Sequence, residues 1–177
     1  MQRISIVGTT SSGKSTLAKQ ISQRLGIPHI ELDYLYWQPN WIETPAEIFN
    51  QQLTEKIAGY SWIVDGNYSH VRDLIWSKAD TIIWLNYSLR VVLQRVIWRT
   101  FKRVITKQEV CNGNYETWSI ALSKYSMIVY VLQTHYQRYQ EYTNLFKKPE
   151  YSHLKIIELR TPAATKEWLS NLPIQQN

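Results

Sequence analysis

Residues 3–15, RISIVGTTSSGKS, decide the fold. The first five form a short apolar run, and the last eight, GTTSSGKS (8–15), fill the pattern G-x-x-x-x-G-K-[ST] completely. The order strand, glycine-bounded loop, helix is what a phosphate-cradling loop needs. Gly8 and Gly13 allow positive φ, so backbone N–H groups can turn inward around phosphate oxygens. The helix that starts near Lys14 adds the positive end of its dipole. Lys14 is placed to reach β- and γ-phosphates, and the Ser15 hydroxyl is a ligand for Mg²⁺. Thr9, Ser11 and Ser12 complete the loop, and Thr16 is expected to support the α-phosphate. The cofactors expected from this stretch are ATP and Mg²⁺.

The rest of the chain has the pattern of an α/β protein. HIEL (29–32), WIVD (62–65), TIIWL (81–85) and KIIEL (155–159) read as further strands. Between the first two strands Leu17, Ile21 and Leu25 recur every four residues, and Gly26 and Pro28 close that helix. Thr44-Pro45-Ala46-Glu47 reads as a capping box ahead of an apolar stripe of Phe49, Leu53 and Ile57. Thr161-Pro162 opens a last helix. Strands separated by helices of this length predict a parallel sheet covered on both faces. Residues 90–148 are almost entirely helical in pattern and break near CNGN (111–114), predicting two helices with a mobile excursion between them. No repeat or linker divides the 177 residues, so one domain is expected.

Composition narrows the setting. A net charge of +6 favours anionic partners, nucleotides and nucleic acids alike. Cys111 is the only cysteine, which excludes an internal disulfide and points to the cytoplasm. No signal peptide and no apolar run of membrane-spanning length is visible, so no membrane partner is expected. A small GTPase is disfavoured, because SKAD (77–80) precedes its strand and no D-x-x-G switch follows the loop.

Two acids follow the first helix. If HIEL is a strand, Glu31 and Asp33 lie on one face at the same sheet edge as the phosphate loop. Asp65 ends the third strand at that edge, before Gly66, where a carboxylate can hold a water of the Mg²⁺ shell. Arg95, Arg99 and Arg103 are spaced i, i+4, i+8 along one helical face. Tyr34, Trp37 and Trp41 either wall an acceptor pocket or pack the insertion against the core.

These segments resemble small P-loop kinases. DGNY (65–68) is similar to the DGFPR element of adenylate kinases, and LNYSLRVVLQRVIWR (85–99) to their strand and following arginine-bearing helix. GTTSSGKST, HIELDYLYW, WIVDGNY, VRDLIW and ADTIIWLNY together look like the DNA-topology-modulation-protein (FlaR-like) group, an adenylate-kinase-related branch. The resemblance implies a three-layer P-loop fold with a five-stranded sheet in the order 2-3-1-4-5. It also implies an acceptor-binding insertion at about 33–60 and a helical lid at about 100–118. It places Arg95 near the adenine, Arg99 at the triphosphate, Arg103 on the lid side, and the backbone of Arg160–Pro162 against the adenine edge. Shikimate and gluconate kinases carry an acidic pair where Glu31 and Asp33 stand. Asp33 is therefore expected to orient the acceptor or act as general base, with Tyr34, Trp37, Asn67 and Tyr68 around the acceptor. Two departures stand out. Tyr68-Ser69 replaces the Pro-Arg of the adenylate kinase element, leaving Arg72 as the nearest substitute for that arginine. Asn86 replaces an aspartate. The implied function is ATP- and Mg²⁺-dependent phosphoryl transfer to a small acceptor, a nucleoside or nucleotide among the candidates. The alternative is a nucleotide-dependent DNA-binding protein, for which the basic run RVIWRTFKRVITK (95–107) is the support and no nucleic-acid motif is present.

Overall fold

The apolar runs become strands β1 (Arg3–Gly8), β2 (His29–Glu31), β3 (Trp62–Asp65), β4 (Thr81–Leu85) and β5 (Lys155–Leu159). The computed structural model describes residues 1–173. All five strands run parallel in one sheet, in the order β2-β3-β1-β4-β5. Every residue of β3 and β4 is buried, which is why these runs lack polar alternation: helices cover both faces.

Side-chain alternation splits the core in two. Ile4, Ile6, Ile63 and Ile83 pack on one face with helices α1 (Lys14–Leu25) and α5 (Leu89–Thr106). Trp62, Val64, Ile82 and Trp84 point to the other face. There they meet Phe49 and Leu53 of α3 (Ala46–Lys56), Trp76 of α4 (Arg72–Trp76) and Tyr142 of α7 (Met127–Leu145). Helix α8 (Pro162–Ser170) follows β5, with the Thr161 hydroxyl accepting from Ala164 N as a true cap. No helix among the described residues is long and apolar enough to cross a membrane.

Three local expectations are corrected. Strand β2 ends at Glu31, and Leu32 already opens α2 (Leu32–Tyr36), so Asp33 sits on a helix rather than on a strand beside Glu31. The cause is packing: Leu32 is 1% exposed and fills the space that a side chain on Gly66 would take. Thr44 does not cap α3. Its hydroxyl donates to Leu35 O at 2.8 Å, tying the 37–43 ribbon to α2. The break at CNGN is an antiparallel hairpin, Glu109–Cys111 against Asn114–Tyr115, followed by the short helix α6 (Trp118–Ala121). Asn112 and Gly113, both at positive φ, supply the two-residue turn that hairpins favour.

Candidate functional site

Between β1 and α1 the chain makes a tight loop that only glycine can begin. At Gly8, φ is 146° and a Cβ would lie 2.6 Å from Leu85 O. Ser11 also takes positive φ, and no side chain caps the first turn of α1. The free N–H groups at that end are disposed to hold an anion. The hydroxyls of Ser11 and Ser12 are buried without a partner among the described residues. Thr9 is buried, and Thr16 is exposed on the outer side of the helix.

Lys14 folds back on the loop, its ammonium donating to Gly8 O at 3.0 Å and Thr9 O at 3.2 Å. Burial pulls its pKa down to about 8, against the opposing attraction of Asp65 and then Asp33. Arg138 and Arg99 add to the depression from nearby.

Asp65 is 3% exposed. Its Oδ2 accepts from the Ser15 hydroxyl at 2.6 Å, and His29 Nε2 lies 2.5 Å from its Oδ1. Asp33, exposed at the top of α2, accepts from the Tyr68 hydroxyl at 2.8 Å through Oδ1. Burial, and then Asp33 itself, push the Tyr68 phenol far above its ordinary range, so it stays a donor. Asn67 donates to Gly8 O at 2.6 Å and accepts from the Tyr142 hydroxyl at 3.0 Å.

The expected arginines separate into two groups. Arg95 donates to Ser12 O at 2.6 Å and lies over the Tyr87 ring, 5.1 Å from its centroid. Arg99 is turned inward, its Nε without a partner among the described residues, and burial followed by repulsion from Arg103 lowers its pKa to about 10. Arg103 pairs with Glu116 at 2.9 Å. Arg95 and Arg103 are engaged within the chain, and the outer side of the 95–107 run exposes Trp98, Phe101 and Ile105 beside Lys102 and Lys107. Arg72, by contrast, pairs with Glu141 and lies over Trp76. Arg160 points to solvent and pairs with Glu158, which also accepts from Asn86 at 2.7 Å. Pro162 only begins α8.

The aromatic segment is more packed than open. Trp37 meets Tyr36 and Trp41 edge to face, while Tyr34 is exposed. The hairpin closes over it: Asn112 donates to Tyr34 O at 2.8 Å and Trp37 O at 2.7 Å. Asn114 donates to Gln38 O at 2.9 Å and accepts from Trp41 N at 2.7 Å.

Helix α7 supplies groups that sequence reasoning missed. His135 Nδ1 lies 3.2 Å from the Thr9 hydroxyl, and burial lowers its pKa. Arg138 donates to the Tyr130 hydroxyl at 2.8 Å, and its Nε has no partner among the described residues. Arg72, Arg138, Glu141 and Asn67 line a cleft of about 170 Å³. The signal was present, since 135, 138 and 142 share one helical face by their i, i+3, i+7 spacing. His29 was missed as well; it stands two residues before Glu31 and so on the same strand face.

Comparison with protein-family models finds no match. A protein of Thermococcus onnurineus (strain NA1) named "Putative adenylate kinase" is 26% identical over 107 residues, which is 56% of this chain and 57% of that protein. The chain thus spans little more than half the length of this curated relative. The shikimate kinase of Bacteroides thetaiotaomicron superposes with a TM-score of 0.57 at 17% identity, covering 96% of this chain and 94% of the other. A gluconokinase of Sinorhizobium meliloti 1021 gives 0.50 at 17% identity, with the same coverage. The solved structures establish the P-loop kinase fold.

Proposed function

We propose that this chain is an ATP- and Mg²⁺-dependent phosphotransferase acting on a small acceptor, with a nucleoside or nucleotide as the first class to test. The observation that carries this reading is a complete phosphate loop with Lys14 folded onto it and the Ser15 hydroxyl bonded to the buried Asp65 at 2.6 Å. The partnerless donors Ser11, Ser12 and Arg99 Nε fit phosphate oxygens, and Ser15 beside Asp65 fits a magnesium ion with its water shell.

Bound Mg²⁺·ATP supplies the transferable phosphoryl group and the neutralising dication. The chain's own groups do the rest. Lys14 leaves Gly8 O to neutralise phosphate charge, and Arg99 faces the same charge from α5. Arg95, held against Ser12 O and Tyr87, braces the loop on the base side. Tyr68 fixes one oxygen of Asp33, leaving the other to orient an acceptor hydroxyl or accept its proton. The Asn112 hairpin is the lid, and residues 33–60 are the acceptor-binding insertion. Cleft residues Arg72, Arg138 and Asn67 suit an acceptor that carries an anionic group.

The test is ADP release across a panel of nucleoside monophosphates, nucleosides and sugar acids. One acceptor is expected to stimulate release. Asp33→Asn should lower the stimulated rate about a hundredfold while ATP still binds. No stimulation by any acceptor refutes the reading. The TM-scores and the adenylate kinase relative support the kinase class, and the internal partners of Arg95 and Arg103 weigh against a DNA-binding face.

A further inference from the structure

We infer that His29, Glu31 and Asp65 form a binding site for a first-row transition-metal dication, beside the phosphate loop and independent of nucleotide. His29 and Glu31 are two apart on β2, so both side chains leave the same face. In the β2–β3 register Glu31 is opposite Asp65 and His29 opposite Ile63, and Ile63 packs on the α1 face. All three side chains therefore face α1. One ligand atom from each lies within 4.8 Å of the other two.

The spacing is close to what a cation requires. Ligands at about 2.0–2.2 Å from a shared ion stand about 3 Å or more apart. His29 Nε2 and Asp65 Oδ1, now at 2.5 Å, need open only slightly, and Glu31 needs to close in. Coordination replaces the hydrogen between the two groups, and in the neutral ring that proton moves to Nδ1. Asp65 is buried and its other oxygen is held by Ser15, so Oδ1 is already aimed.

The imidazole sets the metal class. Mg²⁺ prefers oxygen ligands and keeps its water, whereas imidazole with carboxylates suits transition dications. This distinguishes the site from the magnesium position at Ser15. A cation already sits at the mouth: Lys19, one turn beyond Ser15, places its ammonium 3.5 Å from Glu31 Oε2. Its side chain is 60% exposed, free to swing away, and it acts as a built-in competitor.

The experiment is Mn²⁺ titration of the full chain followed by electron paramagnetic resonance, with no nucleotide present. One Mn²⁺ per chain is expected, not displaced by a hundredfold excess of Mg²⁺. His29→Gln keeps an N–H donor for Asp65, preserving the fold, but should weaken Mn²⁺ at least tenfold. Lys19→Gln should tighten it severalfold. Lys14→Ala, which abolishes nucleotide binding, should retain Mn²⁺, so a failed kinase assay leaves this result standing. Absence of stoichiometric Mn²⁺, equal displacement by Mg²⁺, or unchanged affinity in a folded His29→Gln variant overturns the inference.

Discussion

Replacing Lys14 by Met should make the free protein more stable while removing its nucleotide binding. The ammonium is held in a desolvated loop, which lowers its pKa from 10.5 to about 8. At about 1.4 kcal/mol per pH unit, burying the charged form costs roughly 3 kcal/mol at neutral pH. Methionine fills similar volume without the charge, but it forfeits the two hydrogen bonds to Gly8 O and Thr9 O. Each of those is worth about 1 kcal/mol net, so a gain of about 1–2 kcal/mol remains. The sign of the pH dependence follows from proton counting. Between pH 8 and 10.5 the unfolded wild type still binds the Lys14 proton while the folded form has shed it. Wild-type stability attributable to this group therefore rises with pH across that window, and the advantage of the variant shrinks, is gone at about pH 9 and is reversed above it. Urea denaturation of both proteins at pH 7, 8, 9 and 10 reads the difference directly. A variant less stable than wild type at pH 7, or a gap that does not narrow with pH, refutes the argument.

Gly8→Ala forces a Cβ to 2.6 Å from Leu85 O at positive φ, and should cost about 3 kcal/mol or more in chemical denaturation. Arg99→Met removes a buried cation with an unpaired Nε. It is expected to leave the melting temperature unchanged or higher, with stimulated ADP release falling about a hundredfold or more. Asn112→Gly keeps the left-handed turn but removes both side-chain bonds to Tyr34 O and Trp37 O. Hydrogen exchange of residues 109–115 should then speed up at least tenfold, with the sheet unchanged.

The strand runs and the phosphate loop were legible because each rests on local chemistry: apolar runs, glycine spacing and helix periodicity; the order of the sheet followed only from the resemblance to P-loop kinases. Asp33 was misplaced because nothing in HIEL marks where the strand stops. That boundary is set by Leu32 packing over Gly66, a contact between residues 34 apart in the chain. Thr44-Pro45 carried a genuine capping pattern, yet a tertiary acceptor, Leu35 O, took the hydroxyl. Arg72 was named by proximity in sequence, and its side chain pairs with Glu141 on α7. The α7 groups escaped notice because their partners are the loop at residue 9 and the turn at residue 67, far away along the chain.

The carbonyl of Gly8 receives two donors, Lys14 Nζ and Asn67 Nδ2, and Asn67 is itself anchored to Tyr142 on α7. One oxygen thus serves as a junction between the loop and the cleft beneath α7. A guest in that cleft that draws on Asn67 changes how firmly the lysine is parked, and a guest in the loop that claims the lysine changes how Asn67 is held. Thermodynamic reciprocity then obliges the two guests to alter each other's affinity by the same factor. On the proposed function, cooperativity between donor and acceptor would run through a single peptide oxygen.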